Sequence, residues 1–236
     1  MKPPTRNELE EVYRRLFKEF GPQHWWPGQT KWEIMVGAVL TQNTNWGNVE
    51  RAIRNLREEK VLTLKALRKI SLPRLARLIR PSGYFNIKAR RLKNLVNFIF
   101  AEYSGSLVSM AHEPLADLRK KLLSVNGIGP ETADSILLYA FNKPIFVVDA
   151  YTRRLLSRHN WTREDIDYHD LQNIFMTHLK PDVQKFNEYH ALIVRAGKEL
   201  CRTNPKCAEC PLKTFNYSAN FQKFLDARGY SSGHSR

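Results

Sequence analysis

A chain of 236 residues with 42% apolar content has ample material for a buried core, as one large domain or two smaller ones sharing a core. Thirty-eight Lys and Arg against 23 Asp and Glu give a formal charge of +15, which points to a polyanionic partner; a solvated basic surface with no specific partner is the competing account. No apolar run approaches the roughly 20 residues needed to span a bilayer, and the proline-rich, charged start lacks a signal-peptide core, so an intracellular, cytoplasmic protein with no membrane partner is expected.

Leu9, Val12, Tyr13, Leu16, Phe17 and Phe20 recur at helical spacing and predict an amphipathic helix ending near Gly21-Pro22. Helical patterns follow over Ile34 to Leu40, Val49 to Leu56, Leu62 to Leu67, Leu72 to Ile79, Ala89 to Phe100, Leu115 to Leu123, Thr132 to Phe141 and Ala150 to Arg158. Ile145 to Val148 is β-branched but too short to define a sheet, and reads as a buried connection leading to Asp149. An all-α fold follows. From about Phe215 onward Ser, Gly, Asn and His accumulate, and disorder is expected there.

The most informative segment is Leu122-Leu123-Ser124-Val125-Asn126-Gly127-Ile128-Gly129-Pro130-Glu131-Thr132-Ala133, followed by Ile145-Phe146-Val147-Val148-Asp149. Gly127 and Gly129 permit a tight reversal between two helices with backbone N–H groups exposed. Pro130 suits the first position of the second helix, whose N-terminal amides and dipole then face an anion. Gly127, Gly129 and Thr132 are therefore candidate phosphate contacts and Asp149 a candidate catalytic carboxylate, the bland alternative being an ordinary interhelical turn followed by a capping aspartate. Basic residues flank this segment and an earlier turn: Arg74, Arg77, Arg80, Lys88, Arg90, Arg91, Lys93, Arg119, Lys120 and Lys121.

This segment resembles the helix-hairpin-helix DNA glycosylases of the endonuclease III superfamily, whose signature is such a hairpin with a downstream catalytic aspartate. Trp25-Trp26-Pro27, Gly37-Ala38-Val39-Leu40-Thr41-Gln42-Asn43-Thr44 and Arg80-Pro81-Ser82-Gly83-Tyr84-Phe85-Asn86 are similar to the 3-methyladenine DNA glycosylase III branch. The resemblance implies two helical lobes with a DNA-binding cleft: a helical barrel over residues 24–140 ending in the hairpin, and residues 1–23 with 141–236 as the second lobe, carrying the cysteine loop. It implies a monomer acting on double-stranded DNA that contains a damaged base. The expected reaction is hydrolysis of the N-glycosidic bond of a flipped base, an alkylated purine such as 3-methyladenine. Where bifunctional members carry a Schiff-base lysine this chain has Glu131, which cannot form an imine, so no lyase activity is expected; Lys121 and Lys143 lie nearby in sequence.

In such an enzyme the cost of extruding the base is offset by stacking on aromatic faces. Trp25, Trp26 and Trp46 are the candidates, the resemblance implying Trp25 and Trp46 on the two faces of the base; burial of all three as core is the alternative, and Trp32 reads as core. Glu131 is a second candidate pocket residue, although its place in a first helical turn equally suits it to complement the helix dipole. Gln42 stands where related enzymes insert a glutamine into the gap left by the base; a helix-terminal amide satisfying nearby backbone groups is its competing role. Lys88 is read as a phosphate contact. Asp134 reads as a solvated or capping residue.

The chemistry requires no cofactor. Cys201, Cys207 and Cys210 nonetheless resemble the iron–sulfur loop of endonuclease III, but the usual fourth cysteine falls at Asn216 and four thiolates normally hold a 4Fe-4S cluster. The 3-methyladenine branch can lack the cluster, and a loop packed by ordinary contacts is the alternative. Two other functions compete with the leading one: a glycosylase for oxidised pyrimidines or mismatches, and a non-enzymatic module binding damaged sites.

Overall fold

The computed structural model describes residues 2–228, and among them there are helices and turns but no strand. The chain divides into two compact units, one formed by Met1–Trp25 with Pro144–Arg236 and the other by Trp26–Lys143. Lys143 stays with the second unit because its ammonium donates to the carbonyls of Ala111, at 3.2 Å, and Glu113, at 2.5 Å.

The first unit opens with α1 (Arg6–Phe20), which starts at a capping box between Thr5 and Glu8 and ends at Gly21 with a φ of 66°. The second unit runs through α2 (Lys31–Leu40), α3 (Trp46–Glu58), α4 (Leu64–Lys69), α5 (Leu72–Leu78), α6 (Phe85–Tyr103), α7 (Leu107–His112), α8 (Leu115–Ser124) and α9 (Pro130–Ser135), the last continuing as a π turn over Ile136–Ala140. The first unit resumes with α10 (Ala150–Arg158), α11 (Tyr168–His178), α12 (Val183–Glu199) and α13 (Ala219–Asp226). Residues 219–226, expected to be disordered, instead form a helix because Phe221 and Leu225 give its short pattern a buried face. The expectation of disorder for residues 229–236 lies outside the described residues.

In the first unit Phe146 stacks on Phe175 at a centroid distance of 4.0 Å, and Phe186 and Tyr189 of α12 meet Phe146 edge-on. Ile145, Phe146, Val147 and Val148 are all buried, so the β-branched run is a buried connection rather than a strand. Helices α10 and α12 approach closely at Gly197, where a Cβ would strike the ring of Tyr151. Arg154 reinforces that contact by donating to the Gly197 carbonyl at 2.7 Å.

In the second unit the α8–α9 hairpin is held by a buried pair. Arg119 grips Asp134 through both guanidinium edges, Nε to Oδ1 at 2.7 Å and Nη2 to Oδ2 at 3.1 Å. Asp134 is fully buried, so it is neither the solvated nor the capping residue its polarity suggests. Gly127 and Gly129 differ in how strictly their positions require glycine. Gly127 has φ 92° and a Cβ there would collide with the aliphatic stem of Arg91. Gly129 has an ordinary φ of -89° and open space where a Cβ would stand. Gly127→Ala is expected to lower folding stability by about 1–3 kcal/mol through backbone strain and crowding, whereas Gly129→Ala costs under about 1 kcal/mol; chemical denaturation of the two variants checks the contrast, and equal losses would contradict it.

Candidate active site and DNA-binding elements

The buried connection from Ile145 to Val148 delivers Asp149 to the N-cap of α10. Its Oδ1 accepts from the Thr152 amide at 2.8 Å and from the Thr152 hydroxyl at 3.0 Å. Its Oδ2 lies 3.6 Å from Nε2 of His190 on α12. Both side chains are largely enclosed, with exposures of 12% for Asp149 and 7% for His190. Burial alone would push the carboxyl pKa up, but His190 and the Thr152 donors prevail and hold it below its ordinary value. The result is a fixed, ionised carboxylate in a poorly solvated setting, able to stabilise positive charge beside it or to accept a proton from water.

In the second unit Trp26, Trp46 and Tyr139 form one aromatic group. Trp26 meets Trp46 edge-on at 5.1 Å and Tyr139 in a tilted stack at 5.0 Å. The absent side chain of Gly37 leaves room for the Trp26 indole, which lies 3.3 Å from where a Cβ would stand. Trp46 opens α3 behind the N-cap Asn45, and Tyr139 comes from the π turn after α9. Both Trp26 and Trp46 are partly accessible, while Trp32 is buried in the core. Trp25 belongs to the first unit, where the Lys198 ammonium lies 6.0 Å from its ring centroid.

Gln42 follows α2 and is bound to the hairpin. Its amide nitrogen donates to the Gly127 carbonyl at 3.2 Å and the Thr132 hydroxyl at 2.9 Å, and its oxygen accepts from Arg91. The Thr132 side chain is thereby buried and engaged inward. Glu131 is exposed in the first turn of α9. Sequence reading gave no role to Tyr139 or Arg91 and none at Asp149 to His190. Tyr139 is apolar-spaced like any core residue; Arg91 and His190 acquire their partners only through tertiary packing, with no local signal.

Residues 36–181 match the family of HhH-GPD superfamily base excision DNA repair proteins. The chain belongs to that superfamily. It is 45% identical over 217 residues, 91% of this chain and 98% of the relative, to a Methanocaldococcus jannaschii protein provisionally named a DNA repair glycosylase. Among solved structures it is similar to the H. pylori 3-methyladenine DNA glycosylase bound to 1,N6-ethenoadenine, with 30% identity, a TM-score of 0.71, and coverage of 82% of this chain and 97% of that one. A non-covalent endonuclease III–DNA complex shares the fold at 21% identity and a TM-score of 0.79, covering 94% of this chain and 99% of that chain.

Within this superfamily fold two expectations need correction. Lys88 is only 1% exposed and donates to the carbonyls of Leu40 at 2.8 Å and Ser82 at 2.6 Å, tying the end of α2 to the turn before α6. Enclosed this way it has no route to a phosphate. Much of the flanking basic charge is likewise committed inside the unit: Arg119 to Asp134, Arg91 to Gln42, Arg74 to Glu59, and Lys93 to the carbonyls of Arg68 and Ile70. Arg77, Arg80, Arg90 and Lys120 stay exposed.

The superfamily includes iron–sulfur members, and Cys201, Cys207 and Cys210 do line one space together with Arg158, His159 and Tyr217. That enclosed space measures only about 10 Å³, room for about one water molecule. Arg158 donates to the Cys201 sulfur at 3.3 Å, and burial pushes the Cys210 thiol up to about 12. Among the described residues no group of three or more His, Cys, Asp or Glu side chains is placed to hold a metal ion. With Asn at position 216, these residues do not fit a four-thiolate cluster.

Burial, with a smaller contribution from Arg91, lowers the Lys88 pKa from 10.5 to about 8. Between about 8 and 10.5 the unfolded chain binds a proton that the folded chain does not, so this group makes stability rise with pH across that window. The melting temperature of the wild type relative to Lys88→Met is therefore expected to climb from pH 8 to 10.5, measured by thermal denaturation; a flat difference would contradict the assignment.

Proposed function

We propose that this chain removes an alkylated purine such as 3-methyladenine from duplex DNA by hydrolysing its N-glycosidic bond, without cutting the strand. The observation that carries the reading is Asp149, a buried carboxylate kept ionised at a helix N-cap. As the bond between C1′ and the base nitrogen breaks, the bonding electrons leave with the base and positive charge develops on the sugar. Asp149 stabilises that charge and accepts a proton from the water that attacks C1′. No cofactor is needed for this step.

A cationic alkylated base suits electron-rich ring faces, and Trp26 and Trp46, joined by Tyr139, are the faces we assign to it. The 30% identity to a 3-methyladenine glycosylase supports the same lesion class. Water as the nucleophile is supported by Glu131 in place of a lysine and by the condition of the neighbouring amines. Lys121 pairs with Glu113, which raises its pKa and keeps it protonated, and Lys143 donates to two carbonyls. At the hairpin the open side of Gly129 leaves a path for a phosphate to approach the backbone. Gln42 fills the gap left by the base once its amide exchanges hairpin partners for the orphaned base.

A panel of duplexes carrying 3-methyladenine, 1,N6-ethenoadenine, thymine glycol or a G·T mismatch tests the reading by mass-spectrometric identification of the released base. Release of alkylated purines is expected, with strand breaks only after alkali. Asp149→Asn is expected to slow release by about 10²- to 10³-fold while abasic-site affinity holds. Excision at the wild-type rate, or pyrimidine release alone, would overturn the proposal.

The aromatic assignment carries its own test. Trp46→Ala is expected to reduce excision efficiency about five- to 150-fold, the equivalent of about 1–3 kcal/mol of base stacking, and to affect abasic-site binding far less. Equal losses of excision, abasic affinity and thermal stability would mean the ring builds the fold instead.

A further inference from the structure

The two oxygens of the Asp149 carboxylate are held differently. Oδ1 takes both Thr152 donors, which leaves the plane of the group to be fixed by whatever stands opposite Oδ2. There the structure puts Nε2 of His190, 3.6 Å away and more enclosed than the carboxylate itself. We propose that His190 is a positioning residue for Asp149, donating its Nε2–H to Oδ2 so that the carboxylate is held in one orientation and stays charged. This rests on the reading of Asp149 as the catalytic carboxylate.

An imidazole N–H at this position supplies a directed donor to the carboxylate. The separation exceeds a hydrogen bond by a few tenths of an ångström, and catalytic contacts of this kind tighten when substrate binds. The backbone on both sides is fixed: α10 and α12 meet at the bare Cα of Gly197 under Tyr151, and Arg154 locks the same point. Six of the other charged groups of the two helices have partners elsewhere. Arg154 turns to the Gly197 carbonyl, Arg158 to that of Arg202, Arg195 to Glu199, Lys185 to Glu10, Lys198 to Trp25, and Glu188 to the Gln23 amide. Lowering of the Asp149 pKa by His190 agrees with a donor at Oδ2.

Gln and Asn substitutions separate this role from simple packing, because a glutamine amide reaches the position of Nε2 and an asparagine amide falls short. His190→Gln is expected to keep single-turnover excision within about threefold of wild type, and His190→Asn to lose about ten- to hundredfold. In the Asn variant the acid limb of the pH–rate profile moves to higher pH while abasic-site affinity is unchanged. The ¹⁵N signal of Nε2 in the wild type provides a measurement independent of how the variants fold: it should report a protonated nitrogen and shift on Asp149→Asn. Equal activity of the Gln and Asn variants, an unmoved acid limb, or an Nε2 without a proton would overturn the inference. Full excision by Asp149→Asn would instead remove the catalytic reading on which it stands.

Discussion

Two demands meet in the carboxylate of Asp149. As the N-cap of α10 it accepts the Thr152 amide, a bond whose loss costs about 1 kcal/mol in a typical helix. As a charge it sits where burial favours the neutral form. The two demands support each other, since the Thr152 donors that cap the helix join His190 in keeping the carboxylate ionised, and the N-terminal end of a helix dipole adds attraction of the same sign. A glutamate of the same charge would not reach Thr152 in this way, and an asparagine would preserve the cap while losing the charge. The cap and the ionised carboxylate are here properties of a single geometry.

The sequence was most legible where a local rule governs. The ends of α1 and α10 follow from capping residues and glycine, and the hairpin follows from Gly127, Gly129 and Pro130. Asp149 was legible because its buried approach is written in consecutive β-branched and aromatic residues. What was not legible depends on partners distant in sequence. Lys88 reads as a surface cation until the carbonyls of Leu40 and Ser82 are seen to surround its ammonium, and Asp134 reads as a surface acid until Arg119 closes over it. Tyr139 could not be singled out because it falls within an apolar helical pattern like any core residue, and its place beside Trp26 comes from tertiary packing.

The same distinction changes how the +15 charge is understood. Formal charge suggests a uniformly basic, polyanion-seeking surface, yet several of the cations nearest the motifs serve as internal struts. The Arg91 stem crowds Gly127 while its guanidinium holds Gln42, so one side chain fixes both the bend of the hairpin and the residue leaving α2. Such an arginine is committed to internal structure, holding the hairpin backbone and Gln42 in place. Long-range attraction falls to the exposed remainder such as Arg77, Arg80, Arg90 and Lys120, and that part is the one salt screens.

Helix α10 has only nine residues, yet it is restrained at both ends. At its start, Asp149 and Thr152 close the first turn beside His190. At its end, Arg158 donates to the Arg202 carbonyl at 2.8 Å, touches the Cys201 sulfur, and lies 4.6 Å over the Phe221 ring, while its own carbonyl accepts from Ser218 at 2.8 Å. His159, the next residue, is packed among Trp161, Phe215 and Tyr217, and burial lowers its pKa to about 4, so at neutral pH it acts as an uncharged aromatic. The cysteine-bearing loop is thus joined to α10 by a guanidinium and a set of rings. A helix this short gains little from its own hydrogen bonds. The orientation of its N-cap carboxylate consequently depends on how firmly the far end is anchored, which gives the loop a structural bearing on Asp149 through the length of α10.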